Sequence, residues 1–490
     1  MDQAHKKDHF NIRSFGSDVL IYSSGQILLL IFGLVQSLII PKYLSTADYG
    51  YWQLFLLYTN YVGILHLGFL DGILVRWAGK NLEDLIEEIP MAFRFILLEQ
   101  GIVIGTLILI IGITDLPSKA LALAVLINAV IVNLLTFFLF TAQATKRFKH
   151  VTTANVGKGL IFLIAVLLTF FCGHINYFPL IFANMITGLS IAFLFAFYLR
   201  DYLHLQVAHT KSLLHYGKEN IAIGFFILLG NFVALIIVTT DRIIVGSFFP
   251  ITQFAVYAFA MTMCGLATVF LQAVALVFLP YLSESGREIR TRAYSLLRPA
   301  LVLFWAGILA VYFPFSAWIR YYLPHYADSL PLMAILLCTV GFSGQINILH
   351  ANFFKVYRKQ RAYFVLAGVS LIIAIILSLL AVSFFGTLTA VAAMAVISFS
   401  IWYLLNETAL RDLVAISVRE VIKWALVICA YISAFLGICT VTETWTWSIR
   451  LGIYLVMFSG ITTVCLHAEA EYLWCQVKKI YSRRNEPYDT

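Results

Sequence analysis

Apolar stretches of about 20 residues recur along the whole chain, and nothing constrains its fold more. With soft edges they occupy 18–40, 51–75, 93–113, 120–143, 151–172, 178–199, 220–246, 252–279, 299–319, 329–354, 363–383, 388–406, 421–441 and 447–466. Each can cross a hydrocarbon core of ~30 Å. Lipid offers no hydrogen bonds to an open strand edge, so runs like these form helices. Charged residues make up only 12% of the chain, against roughly a quarter in soluble domains. The fold class expected is an all-α polytopic membrane protein with 14 transmembrane helices and no soluble domain.

The charges follow the same topology. Place the N-terminus, every even-numbered connection and the C-terminus in the cytoplasm. Of the 33 Lys and Arg, only Lys42, Lys119, Arg242, Arg320 and Arg450 then fall outside or near the outer boundary. That alternation is the positive-inside bias, and an error of one helix would scramble it. Both termini are therefore expected in the cytoplasm. The net charge of +8 reports topology and implies no nucleic-acid partner. All outer connections are short, which leaves no room for the large outer loops on which membrane glycosyltransferases and polymerases build active sites. The first run is a full span without a small-residue cleavage site, so no cleaved signal is expected.

The chain also repeats itself. At a shift of 205 residues Gly25-Gln26 meets Gly230-Asn231, Gln36-Ser37 meets Asp241-Arg242, and Tyr49 to Leu54 meets Phe254 to Phe259. At a shift of 209, Ala142-Gln143-x-x-Lys146 meets Ala351-Asn352-x-x-Lys355. Six helices return the chain to its starting side, so the two halves are expected as parallel six-helix lobes around a central cavity, with two extra C-terminal helices. The divisions are 1–17 (cytoplasmic N-terminus), 18–199 (first lobe), 200–219 (inter-lobe linker), 220–406 (second lobe), 421–466 (added pair) and 467–490 (basic cytoplasmic tail, read as an amphipathic surface helix). The seven cysteines form no CxxC pair and mostly sit in apolar runs, as small hydrophobes do. No P-loop, HExxH or metal-spaced His/Cys cluster occurs, so no metal site, no cofactor and no ATPase engine are expected.

Polar groups at membrane depth are the candidate site. In the second run Gly68, Gly72 and Gly79 form a bare helical stripe, flanked on one edge by Arg76 and on the other by Asp71 and Asn60. Such a stripe expects close company, either a helix or a polar ligand. On a continuous seventh helix Asn220, Gly224, Asn231 and Arg242 share a line beside Asp241, and the first helix repeats it with Tyr22, Gln26, Gly33 and Ser37. Lys158 shares a face with Asn155, and Glu99 is its candidate partner or a protonatable site. Arg76, Lys158 and Arg242 together would make a cationic ladder suited to an anion, because arginine forks match phosphate oxygens and lysine supplies a point charge. His66 and His350 are single histidines on helices, read as structural.

Several segments resemble the polysaccharide (O-antigen) flippases of the multidrug/oligosaccharidyl-lipid/polysaccharide (MOP) exporter superfamily. Pro41-Lys-Tyr-Leu-Ser-Thr-Ala-Asp-Tyr-Gly-Tyr-Trp resembles their first outer loop, and Leu67-Gly-Phe-Leu-Asp-Gly-Ile-Leu-Val-Arg resembles the end of their second helix. Leu214-His-Tyr-Gly, Asp241-Arg242-Ile-Ile-Val-Gly, Val256-Tyr257-Ala258 and Phe278-Leu279-Pro280 resemble their second half in order and spacing. The resemblance implies a MATE-like fold in the bacterial cytoplasmic membrane and no enzymatic activity. It implies a polyprenyl-diphosphate-linked oligosaccharide as cargo, flipped from the inner to the outer leaflet by alternating access. Arg76, Lys158, Arg242, Gln26, Asn60, Asn155 and Asn231 would hold diphosphate and sugar. Asp71, Asp241 and Glu99 would be charge partners or carry a coupling H+ or Na+. Membrane lipids, and polymerase or glycosyltransferases of the same pathway, are the implied partners. Gln26 and Gln36 stand where relatives place Arg, and the Arg-rich second helix of lipid II flippases is missing, which favours an antigen or capsule repeat unit. The other reading on the same fold is an ion-coupled MATE-like drug or metabolite antiporter.

Overall fold

A computed structural model describes the backbone of residues 12–115, 118–173, 176–203, 210–284, 287–442 and 444–484. It describes their side chains except at 12–24, 26–27, 210–212, 269–284, 287–289, 468 and 470–484. The described chain is helical throughout. Its elements are α1 (Ile12–Tyr43), α2 (Thr46–Thr59), a 3-10 turn (Val62–His66), α3 (Phe69–Trp77), α4 (Glu88–Ile113), α5 (Lys119–Ala144), α6 (Phe148–Phe171), α7 (Tyr177–Tyr198), α8 (Arg200–Leu203) and α9 (Thr210–Phe248). There follow α10 (Ile251–Glu284), α11 (Arg287–Tyr322), α12 (Ser329–Gly344), a π turn (Gln345–His350), α13 (Ala351–Val356), α14 (Gln360–Leu380), α15 (Leu388–Leu410), α16 (Val418–Val441) and α17 (Trp447–Arg484).

Among the described residues 12 helices are long and apolar enough to cross a membrane, or 13 when one bent pair counts as a span. The chain is thus a multi-pass membrane protein. The expected fourteenth span is α1, of which Leu28–Tyr43, the stretch with continuously described side chains, is shorter than a crossing. Short polar connections start the helices. Ser45, Ser118, Asn176 and Thr387 each accept a backbone N–H of the first turn, and Ser417 forms a capping box with Glu420. The helix α17 bends at Leu466 (φ −130°, ψ 19°). The side chains of the expected surface tail beyond it lie outside the described residues.

The chain divides into two compact units, residues 1–232 and 233–490. In the first, α5 packs on α3, α4 and α7, and α1 lies along α6. Its core is aromatic: Phe69, Trp77, Phe95, Phe137, Phe138 and Phe195 are all buried. In the second unit α12 is the central helix, packed by α10, α11, α15 and α16. Trp305 and Tyr312 of α11 donate to the Leu337 and Leu330 carbonyls of α12, and Gly341 leaves space for the Trp305 ring. The last helix, α17, lies on α11, where the Tyr454 hydroxyl donates to the Ala306 carbonyl at 2.7 Å.

The second apolar run, expected as one helix, is broken. It bends by 65° between α2 and α3, where Leu67 (φ 49°) and Gly68 (φ 89°) turn left-handed. Asn60 and Asp71 therefore lie on different segments and share no helical edge. Backbone freed by such a break needs partners inside the protein. Gln100 of α4 donates to the Leu65 carbonyl at 3.1 Å, and Asn133 of α5 donates to the Val62 carbonyl at 3.3 Å and to Gln100 Oε1 at 2.9 Å. The run aligned with it at a shift of 205 residues, α10, has an unbroken backbone, so the expected repeat does not extend to this detail.

The glycine stripe meets a helix, which is what a bare strip requires. A Cβ on Gly72 would lie 2.0 Å from the Asn220 carbonyl oxygen of α9, and one on Gly224 would lie 1.9 Å from the Gly68 carbonyl oxygen. Gly79 takes no part, since nothing lies within 4 Å of its missing Cβ. The crossing is backbone against backbone, so Gly224→Ala is expected to force the two helices apart. It should cost about 1–3 kcal/mol, as overpacking does, read as a lower thermal unfolding midpoint in detergent, whereas Gly230→Ala, at a position with open space, should leave the midpoint unchanged.

Candidate functional site

Among the described side chains each sequence-derived polar residue has a definite place, and the three cations of the expected ladder stand in different settings. Arg76, at the end of α3, is occupied: its Nε lies 3.3 Å from Glu88 Oε2 and its Nη1 3.3 Å from Glu219 Oε2, with the guanidinium 5.0 Å from the Tyr216 ring centre. Glu88 also receives Lys80 at 3.2 Å, the Trp77 indole N–H at 2.9 Å and the Tyr216 hydroxyl at 3.3 Å. This partly exposed cluster joins the ends of α3, α4 and α9. Arg76 ties these helix ends together, and its side chain keeps 32% of its surface exposed.

Lys158 is different. It stands half-buried on α6, about 15 Å along the helix from Phe148 at 1.5 Å per residue, with Asn155 half-buried three residues before it. No carboxylate lies within 4 Å of its ammonium among the described residues, so the expected pairing with Glu99 is absent. Its neighbour Gly159 forms the seam with α1. There a Cβ would lie 2.8 Å from the Phe32 ring, and the Gln36 amide donates to the Gly159 carbonyl at 3.4 Å. Lys158 thus stands beside the α1–α6 contact. The Gln26 side chain, expected on the same helix α1, lies outside the described residues.

The acids sit apart from the cations. Asp71 is 7% exposed, with Oδ2 at 3.8 Å from His66 Nε2. Glu99 is 6% exposed and neither carboxylate oxygen has a hydrogen-bond partner. Asn60 and Asn231 are exposed.

In the second unit Asp241 is buried. It accepts the Tyr257 hydroxyl at 2.6 Å on one oxygen and the Arg242 backbone N–H at 2.8 Å on the other. It lines a small cavity of about 20 Å³ with Thr240, Ser370, Ser378, Ser398 and Trp402, room for one water-sized ligand. Arg242 is half-buried one residue further on α9. The cavity surface is mostly apolar, because the Thr240, Ser370 and Ser398 hydroxyls donate to carbonyls of their own helices, so Asp241 is the group there that can take a proton. Ser370 and Ser378 are eight residues apart on α14 and so share a face, the one sequence signal that could have found this cavity.

The largest omission is a dry charge network. Arg298, one of the cations that the charge alternation places on the cytoplasmic side, is 3% exposed and donates to Glu407 Oε2 at 2.9 Å. Tyr294 and Tyr403 donate to the same carboxylate at 2.9 and 3.0 Å, and His350, in the π turn, lies 3.6 Å from it. His350 is thus structural, as expected of a lone helix histidine. Removing one partner of a buried pair costs about 3–5 kcal/mol, whereas an exposed pair is worth about 0–1 kcal/mol. Arg298→Met should therefore abolish or sharply lower folded yield in detergent, while Arg76→Met should lower the unfolding midpoint slightly. Size-exclusion profiles and thermal melts of both variants check this.

With the geometry in place, comparison with known proteins gives the following. A model of the family described as polysaccharide biosynthesis protein matches residues 15–285. A search of curated proteins finds no match. Among solved structures the chain is similar to the lipid II flippase MurJ in an inward closed conformation, at 14% identity and a TM-score of 0.59, covering 91% of this chain and 98% of that one. It is similar to an inward-facing multidrug resistance MATE family transporter of the MOP superfamily, at 13% identity and 0.59, covering 79% and 95%. A MATE transporter from Vibrio cholerae matches at 15% identity and 0.52, covering 82% and 97%. At these identities the likeness establishes the fold alone, the one that these flippase and MATE structures share.

Proposed function

The chain belongs to the polysaccharide biosynthesis protein family, and from that membership we propose that it flips a polyprenyl-diphosphate-linked oligosaccharide, an O-antigen or capsule repeat unit, from the inner to the outer leaflet of a bacterial cytoplasmic membrane. The observation that carries this reading is Lys158. An ammonium at membrane depth costs about 2.5–3.5 kcal/mol on insertion scales unless water, a counter-ion or a ligand meets it. Among the described residues no carboxylate does so. A diphosphate headgroup has the complementary charge, and Asn155 on the same face adds an amide suited to phosphate or sugar oxygens. The lipid tail stays in the bilayer while the headgroup crosses by alternating access. The Asp241 cavity takes the coupling ion, H+ or Na+.

A drug or metabolite antiporter on the same fold is the second reading, favoured by the buried Asp241 and Glu99. It predicts that cation removal at Lys158 leaves glycan export intact. Under the flippase reading Lys158→Ala should lower surface glycan about tenfold or more, the equivalent of one charge-assisted hydrogen bond, with lipid-linked intermediate accumulating inside. Lys158→Arg should restore most of it. Surface glycan blots at matched protein levels decide the question, and normal output from Lys158→Ala would overturn the reading.

A further inference from the structure

The first unit contains a carboxyl group to which the headgroup contacts of the flippase reading give no role. Glu99 lies 11 residues into α4, about 16 Å along the helix at 1.5 Å per residue, and so well inside the membrane. Its carboxylate is 6% exposed and both oxygens lack a hydrogen-bond partner. Phe95, one turn earlier on the same face, packs on Phe69 of α3 at 4.5 Å between ring centres and fits the gap left by Gly217 of α9. Glu99 is therefore on the side of α4 that meets the broken second span and its crossing with α9. The next residue, Gln100, gives one amide N–H to the Leu65 carbonyl within the break, and its amide makes no well-formed hydrogen bond to Glu99.

The surrounding charges do not neutralise it. On the broken span, His66 accepts the Gly68 N–H at Nδ1 (3.2 Å), which directs its Nε2 toward Asp71. Arg76 is taken by Glu88 and Glu219. The face that α5 turns to the break carries Asn128 and Asn133, whose amides are used on Thr59 and Val62. The short α8 carries Arg200 beside Asp201, and α9 carries His215 paired with Glu219; Tyr216 serves Glu88, and Lys218 is exposed. A carboxylate ion buried without cation or donor is costly enough that the group takes a proton instead.

We propose that Glu99 is a proton-binding site of the first unit, neutral while α4 is packed against the broken span and able to ionise only when that packing opens to water. This is separate from the Asp241 cavity and needs no metal ion. Its use as a coupling site rests on the transport reading; the bound proton does not.

Infrared spectroscopy of the full-length protein in detergent at neutral pH tests it without any cargo. The wild type should show the carbonyl stretch of a protonated buried carboxyl, and the difference spectrum against the Glu99→Gln variant should isolate it as a band lost. The Asp241→Asn variant should keep that band. If Glu99→Gln fails to fold, Glu99→Asp serves, and the band should move. A wild-type spectrum that superimposes on that of Glu99→Gln, or a band unmoved in Glu99→Asp, would overturn the proposal. Because no glycan is measured, failure of the Lys158 variants to alter export leaves this result standing.

Discussion

Every backbone N–H and C=O inside a bilayer must find its partner within the protein, and the first unit meets this demand at its weakest point. The second span breaks where Leu67 and Gly68 turn left-handed, which frees backbone groups at membrane depth. Side chains from α4 and α5 take them up: Gln100 at Leu65, and Asn133 at Val62. On the other side the broken span touches α9 through glycine alone, with Gly72 and Gly224 each set against a carbonyl. Amides and glycines that a sequence reader would assign to a binding site are consumed in holding this bend. The same packing isolates Glu99.

Charge follows a related economy. Arg76 and Arg298 both end on carboxylates, yet in different settings. The Glu88 cluster is partly exposed and adds little stability per pair. The Arg298–Glu407 pair is dry, reinforced by Tyr294 and Tyr403, and fixes α11 to α15. Such a pair contributes less to stability than its Coulomb energy suggests, because desolvation offsets much of it, but it does not tolerate loss of one partner. Lys158 stands apart as a membrane-depth cation with no carboxylate within 4 Å among the described residues. That contrast separates fastening cations from the one the transport reading relies on.

The two halves differ in where they place irregular backbone and acid. The break belongs to the second span of the first unit, and its counterpart α10 is continuous. The π turn at Gln345–His350 has no counterpart in α5, which is regular along its length. Gln36 occupies the repeat position of Asp241, so the buried acid beside the small cavity is a feature of the second unit, and Glu99 is a buried acid of the first with no hydrogen-bond partner among the described residues.

Much of this protein was legible before any coordinates. Runs of about 20 apolar residues and the alternation of Lys and Arg fix a polytopic helical membrane protein, because hydrocarbon thickness and charge bias act on local sequence. The glycine stripe announced a close helix contact, since Gly68 and Gly72 recur at helical spacing. What the sequence could not hold is pairing at a distance. Whether Arg76 faces a ligand or a carboxylate depends on Glu219, 143 residues away, and whether Arg298 lies in a loop or a core depends on Glu407. The break in the second span was hidden too, because its donors Gln100 and Asn133 sit on other helices. Local sequence sets which segments enter the membrane; only tertiary packing decides which of their polar groups are already satisfied and which remain for a ligand or a proton.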